Sequence, residues 1–132
     1  MGCLFCAIVA GDIPSRRVYA DESAIAFLDI NPWKRGHTLV VSRRHVDDLL
    51  AVDEALTEIA PAISSTARLL TERLDADGMN LLSSAGGVAG QEVFHLHVHL
   101  VPRYADDPGL RRMTTHDPSI DLDEVARALG IG

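Results

Sequence analysis

The stretch QEVFHLHVHLVPR, from Gln91 to Arg103, decides the fold of this 132-residue chain. It sets His95, His97 and His99 at alternate positions between aliphatic residues. Because side chains alternate between the two faces of a strand, this spacing predicts a β-strand with imidazoles on one face and aliphatic side chains on the other. The outer two histidines would lie about 13 Å apart along such a strand, too far to share one metal ion easily.

A row of imidazoles suits an extended anion better, such as a phosphate with its leaving group. Histidine can act as a nucleophile, an acid or a cationic donor near pH 7. The alternative is a strand whose half-buried histidines merely satisfy one another. The segment before the triad, Ser84–Gly90, favours the phosphate hypothesis, because its glycines let backbone N–H groups approach an anion closely.

Composition limits the function classes. The net charge of −7 and an aromatic content of 5 % argue against a nucleic-acid-binding surface. No apolar run reaches the roughly 18 residues of a membrane span, and no secretory leader is visible, so we expect a cytoplasmic protein. Two cysteines make no disulfide framework. The length predicts one domain over residues 1–132, with a core at about 3–103 and a tail at 104–132.

The fold class predicted from the remaining patterns is α+β, with an antiparallel sheet of about five strands and one long helix packed on it. Residues 53–74 have helical spacing, with Asp53 as N-cap and a kink or restart at Pro61. A short helix is expected at Asp121–Gly130. The other predicted strands are a hairpin of Arg17–Ala20 and Ala24–Asp29, a central strand His37–Ser42, and Gly78–Ser83.

The segment His95–Leu96–His97–Val98–His99–Leu100–Val101 resembles the signature of the histidine triad (HIT) superfamily of nucleotide hydrolases and transferases. Ile13–Pro14, Phe27–Pro32 and Gly36–Val41 resemble the N-terminal half of the same family, in the same order. The likeness covers residues 3–103 and favours the nucleoside phosphoramidase branch. It implies a HIT-like sheet and a two-fold dimer that joins two sheets.

The resemblance also implies residue roles. His97 would be the nucleophile, and His95 would orient it. His99 would donate to the phosphate oxygens or the leaving group, and His37 would be a fourth, supporting histidine. An apolar slot would hold a purine base, as in AMP or GMP, Asp29 would accept from the ribose hydroxyls, and the loop before the triad would contact phosphate. The remaining nucleotide-binding residues implied are Phe5, Ile8, Phe27, Ile30, Ser84, Gly90, Gln91, Glu92 and Val93.

Cys3 and Cys6 form a Cys-x-x-Cys element without the preceding strand of a thioredoxin-like motif. Relatives with such cysteines bind zinc through histidines equivalent to His45 and His95, so the resemblance implies a structural zinc here. The alternative is two small buried hydrophobic residues. No cofactor is expected to be required for catalysis.

Two residues depart from the phosphoramidase branch, which usually has asparagine at Ser84 and serine at Glu92. The leaving group therefore stays open, and dinucleoside polyphosphate hydrolysis is the second hypothesis, compatible with Pro102–Arg103. A nucleotide-binding or scaffold module without catalysis is the third. Strand alternation predicts that Glu92 points away from the histidines.

Overall fold

A computed structural model describes residues 2–110 and 117–130. Its centre is a five-stranded sheet with the strand order β1-β2-β3-β5-β4, in which every neighbouring pair is antiparallel. The strands are β1 (Arg17–Ala20), β2 (Ala24–Leu28), β3 (Thr38–Ser42), β4 (Gly78–Leu82) and β5 (His97–Arg103). The helices are α1 (Leu4–Ala10), α2 (Ala55–Leu74) and α3 (Leu122–Leu129), with a 3₁₀ turn at Gly87–Ala89. The predicted α+β class and sheet are confirmed.

The central strand β3 is buried along its whole length, as its apolar sequence predicts. It pairs with β2 on one side and with β5 on the other, and its register places Leu39 opposite His99 and Val41 opposite His97. His97 and His99 of β5 therefore lie beside the strand that is buried along its whole length.

The two faces of the sheet carry separate apolar clusters. On one face α2 covers Ala24, Ala26, Val40, Val98 and Leu100. On the other, Phe5 and Ile8 of α1 pack against β2 and β3. The histidines His97 and His99 belong to this second face, because they alternate with Val98 and Leu100. The short N-terminal helix thus forms one wall of the site.

Helix α2 differs in detail from the prediction. It runs through Pro61 without restarting, and its N-cap is Glu54 instead of Asp53. Leu56, although apolar, is 38 % exposed. The buried face combines Ile59 and Leu70 with the smaller residues Ala55, Ala62 and Thr66, which let the helix lie close to the two alanines of β2.

The terminal helix is confirmed, with the Asp121 side chain accepting from the N–H groups of Asp123 and Glu124 and Gly130 ending it in the left-handed region. The tail residue His116, whose sequence surroundings predict a surface position, lies outside the described residues. No helix among those described is long and apolar enough to cross a bilayer. The two-fold dimer stays a prediction; β4 is a sheet edge and carries Leu81, which is 57 % exposed.

Candidate active site

The three histidines that were predicted to share one strand face lie in two different places in the structure. β5 begins only at His97, and residues 93–95 form a bend before it. The expectation that His95 shares a strand face with the other two is therefore wrong. Its ring is fully buried and bonds to the Ser42 carbonyl, 2.6 Å from Nε2, while His97 and His99 line an open cleft.

The cleft has a volume of about 550 Å³ and reaches from α1 to the glycine loop. Phe5, Ile8 and Phe27 are almost fully buried and form its apolar end. Ile30 also lines it but is 84 % exposed, so it lies at the rim. All of the residues predicted to bind nucleotide line this one cleft, namely Phe5, Ile8, Phe27, Asp29, Ile30, Ser84, Gly90, Gln91, Glu92, Val93, His97 and His99.

His97 is held in one orientation by a backbone acceptor. Its Nδ1 lies 2.7 Å from the carbonyl oxygen of His95, and the edge of Phe5 packs on its ring with a centroid distance of 5.0 Å. A carbonyl oxygen can only accept, so Nδ1 carries the ring proton and the neutral ring keeps its lone pair at Nε2. The backbone of His95, and not its imidazole, is what orients His97.

His99 is fixed by a chain of hydrogen bonds. The Trp33 backbone N–H donates to His37 Nδ1 at 3.0 Å, so the His37 proton sits on Nε2. That Nε2 lies 2.9 Å from His99 Nδ1 and 3.6 Å from an Asp29 carboxylate oxygen. His37 therefore donates to His99 Nδ1, and neutral His99 carries its own proton on Nε2.

Burial keeps this pair neutral. It lowers the pKa of His37, although nearby Asp29 acts in the opposite direction. It also lowers the pKa of His99 to about 4, with further lowering by His97 and His37. Near pH 7 His99 therefore offers an N–H hydrogen-bond donor and not an imidazolium proton.

The glycine loop is shaped by Gln91. Its side-chain oxygen accepts from Gly86 N–H at 2.8 Å, and its amide nitrogen donates to the Asp47 and Val93 carbonyls at 2.6 and 3.1 Å. The Gln91 side chain is thus used by the protein itself. Its role in the cleft is to fix the loop.

The residues at the end of the glycine loop differ in whether their backbone N–H groups are already hydrogen-bonded. Gly90 N–H bonds to the Gly87 carbonyl at 3.0 Å, within the 3₁₀ turn, so it is already used. Among the described residues the N–H groups of Glu92 and Val93 have no such partner. Glu92 is exposed and lies before the strand begins, so the alternation argument for its side chain does not apply.

Trp33 is a site residue that the sequence patterns missed. Its indole stacks on His99 with a centroid distance of 4.8 Å and an interplanar angle of 11°. It is 55 % exposed and lines the cleft. One sequence signal could have identified it. The chain's single tryptophan lies in the polar loop before Gly36–His37, where a large apolar side chain needs a partner to pack on.

A second cluster brings Cys3, Cys6, His45 and His95 together, as the sequence resemblance implied. His95 Nδ1 lies 3.2 Å from His45 Nδ1, 3.4 Å from Cys3 Sγ and 3.5 Å from Cys6 Sγ, and Cys6 Sγ lies 3.3 Å from His45 Nδ1. The other ring nitrogens face the Ser42 carbonyl and the Asp47 carboxylate. Both Nδ1 atoms therefore present lone pairs to the centre of the cluster.

These distances fit a tetrahedral zinc site. Bonds of about 2.0–2.1 Å to nitrogen and 2.3 Å to sulfur give ligand separations of roughly 3.3–3.6 Å between N–N and N–S pairs. Without a cation, burial and the neighbouring Cys3 thiol raise the pKa of Cys6, and two nitrogen lone pairs face each other at 3.2 Å. A divalent ion would relieve both unfavourable features.

A five-stranded antiparallel sheet that presents imidazoles to a cleft defines the class of histidine triad proteins. Residues 10–106 match the family model described as the HIT domain. A HIT-like protein of Methanocaldococcus jannaschii is 41 % identical over 128 residues, covering 96 % of this chain and 98 % of that protein. The chain therefore belongs to the HIT family.

Solved structures agree. That of SMU.412c from Streptococcus mutans UA159 has a TM-score of 0.86 and 43 % identity, covering 97 % of this chain and 81 % of that one. A HIT family hydrolase from Clostridium thermocellum has a TM-score of 0.72 and 34 % identity, covering 83 % of this chain and 96 % of that one.

Proposed function

We propose that this chain cleaves a leaving group, an amine or a phosphate, from the α-phosphate of a purine nucleoside 5′-phosphate through a covalent nucleotidyl-histidine intermediate. The observation that carries the proposal is the orientation of His97. The His95 carbonyl holds its Nδ1–H at 2.7 Å, which leaves the Nε2 lone pair for attack on phosphorus. The hydrolase description of the Clostridium thermocellum relative supports the same reaction class.

The cleft provides a place for each part of the substrate. Phe5, Ile8 and Phe27 would pack on the base, and the Asp29 carboxylate would accept from the ribose hydroxyls. One Asp29 oxygen already accepts from Asn31 N–H at 2.8 Å, so the other is the ribose acceptor. This arrangement would place the α-phosphate between His97 and the backbone amides at the end of the glycine loop.

The first step forms a bond between His97 Nε2 and phosphorus and breaks the bond to the leaving group, which departs with its electron pair. His99 Nε2–H and the N–H groups of Glu92 and Val93 would donate to the phosphate oxygens as their charge grows. The leaving group takes a proton from water as it departs. Water then forms a bond to phosphorus as the phosphorus–Nε2 bond breaks, and the proton that the water loses passes to solvent. This step releases the nucleoside monophosphate and restores the His97 lone pair.

Zinc held by Cys3, Cys6, His45 and His95 is the second part of the proposal. When bound it would supply structural cross-linking between α1, the turn after β3 and the bend before β5. The chemistry proposed above uses this chain's own residues.

The test is hydrolysis of adenosine 5′-phosphoramidate. We expect His97→Ala to lower kcat by roughly 10³-fold or more, since it removes the nucleophile. His99→Asn serves as the comparison and should lower kcat less, by about 10²-fold, since it removes one donor. Rapid acid-free quenching of the wild type should show a mass increase of one nucleotidyl group that is absent in His97→Ala.

Near-normal turnover by a folded His97→Ala variant would overturn the mechanism. The dinucleoside polyphosphate hypothesis would replace the phosphoramidate if diadenosine polyphosphates were cleaved faster at equal concentration. Tight AMP binding without turnover of any of these substrates would identify a binding module.

A further inference from the structure

A second cavity of about 390 Å³ lies beside the cleft and shares Trp33 and Leu82 with it. On β5 the side chains that share one face run from His97 and His99 to Val101 and Arg103, and the last two line this second cavity. The cavity therefore continues the active-site face beyond the triad, at the end opposite to the base slot of Phe5.

Trp33 forms the boundary between the two cavities. Its ring stacks on His99, and it lines both spaces while remaining 55 % exposed. A substrate whose base lies against Phe5 and whose phosphate lies at His97 has its leaving group on the His99 side. A long leaving group would then pass Trp33 and enter the second cavity.

Arg103 gives the second cavity an unbalanced positive charge. Its Nη1 donates to the Asn80 side-chain oxygen at 2.8 Å and its Nη2 to the Asp107 carbonyl at 2.9 Å, both neutral acceptors. Its Nε is buried and has no hydrogen-bond partner. Among the described residues no carboxylate pairs with Arg103, because the Asp107 carboxylate pairs with Lys34 instead. An anion in the cavity would balance the charge of this guanidinium.

The rest of the lining is mostly apolar. Leu81, Leu82, Val101, Pro108 and Leu110 supply the walls. In the sheet register Leu82 pairs with His99 and Asn80 with Val101, so the guanidinium bound to Asn80 lies at least about 7 Å along the strand from the level of His99. A ligand that joins the two points needs an apolar arm several bonds long that ends in an anion.

We infer that this second cavity is a leaving-group subsite, selective for an apolar arm with an anionic end, and that Arg103 is its specificity-determining residue. The inference rests on the proposed function, because it concerns the group displaced from the α-phosphate. Neither His97 nor His99 changes its role.

The test compares adenosine phosphoramidates with four leaving groups: 6-aminohexanoate, hexylamine, glycine and ethylamine. The aminohexanoate arm places its carboxylate roughly 8 Å from phosphorus, whereas glycine places it too close to reach Arg103. We expect the wild type to prefer aminohexanoate to hexylamine by about tenfold in kcat/KM, as one charge-assisted hydrogen bond allows. Glycine should show no such preference over an uncharged amine of equal length.

The matched variants are Arg103→Met, which keeps the apolar stem, and Arg103→Gln, which keeps a donor for Asn80 without the charge. Both should lose the preference for aminohexanoate and keep the wild-type kcat/KM on unsubstituted adenosine 5′-phosphoramidate. No preference in the wild type, or an unchanged preference in a folded Arg103 variant, would overturn the subsite. If the wild type hydrolysed none of the phosphoramidates, that result would instead overturn the proposed function.

Discussion

The five histidines among the described residues differ in which ring nitrogen is hydrogen-bonded within the protein. His45 and His95 are held through Nε2 and turn Nδ1 toward the cysteines. His97 is held through Nδ1, which leaves Nε2 as a base and nucleophile. His99, by contrast, accepts at Nδ1 from His37 and keeps Nε2–H as a donor. Histidine therefore serves three different tasks in this protein, and the hydrogen bond to one ring nitrogen decides what the other nitrogen can do.

The low pKa of His99 has a consequence for stability. The folded-state pKa is about 4, and the unfolded chain should titrate near 6.5. Between these values the unfolded state binds one more proton, so the free energy of unfolding rises with pH in that window and falls as pH is lowered through it. From pH 7.5 to 5.0 this group should remove about 2 kcal/mol of stability.

Urea unfolding at pH 7.5 and 5.0, compared between the wild type and His99→Asn, measures this effect. The variant should lose less stability on acidification, since asparagine does not titrate while every other histidine remains. An equal loss in the two proteins would contradict the neutral, desolvated state assigned to His99.

What the sequence could predict at this scale depended on regular spacing. Alternation correctly assigned His97 and His99 to one face, with Val98 and Leu100 on the other. It failed for His95, because a period of two does not reveal where the strand begins, and the chain bends at residues 93–95 before β5 starts. Trp33 was missed because its contact with His99 depends on a loop conformation.

At the scale of elements, the loop between β2 and β3 positions the hydrogen-bond chain. It brings Trp33 onto His99 and its backbone N–H onto His37. Gly36 allows the turn, with a φ of +89°, and a Cβ there would lie 2.4 Å from Leu74 Cδ1 and 3.1 Å from Pro102 Cγ. The loop thus packs between α2 and β5 at a position where only glycine fits.

Gly36→Ala should therefore destabilise the protein and misplace His37 and Trp33. We expect a loss of about 2–4 kcal/mol, from the left-handed backbone and the crowding together, and a fall in kcat of tenfold or more. Gly11→Ala is the matched control, since Gly11 has a φ of +86° but nothing within 4 Å of its Cβ. It should cost about 1 kcal/mol and leave kcat unchanged.

Thermal unfolding and phosphoramidate turnover of the two variants give the comparison. Equal losses in stability would show that crowding at Leu74 and Pro102 contributes nothing. Unchanged kcat in Gly36→Ala would show that the loop does not set the position of His37.

At the scale of the whole molecule, the sheet separates support from chemistry. Helix α2 covers one face, and the cleft opens on the other, where α1 supplies Phe5 and Ile8. The order of the strands was predictable only in outline, because apolar runs identify strands but not which edges they form. The position of α1 was not predictable from its seven residues, since it depends on contacts with residues about 90 positions away.

The cysteine-histidine cluster is the polar anchor of that wall. Cys3 caps α1, and Cys6 lies one turn later, so both cysteines connect the helix to His45 and His95. A zinc ion at this cluster would fix the distance between α1 and the sheet, and with it the apolar slot of the cleft. Removing the metal should then disturb the apolar slot more than it disturbs the position of His97.

We therefore expect one zinc per chain by atomic absorption, and a lower melting temperature after chelation that zinc restores and magnesium does not. KM for adenosine 5′-phosphoramidate should rise, because Phe5 and Ile8 are displaced, whereas kcat at saturation should change little. Cys6→Ser should show the same changes and respond no further to the chelator. A metal-free protein with the melting temperature and KM of the zinc-loaded form would contradict the zinc anchor, and the cluster would then be a contact of thiols and imidazoles without a metal.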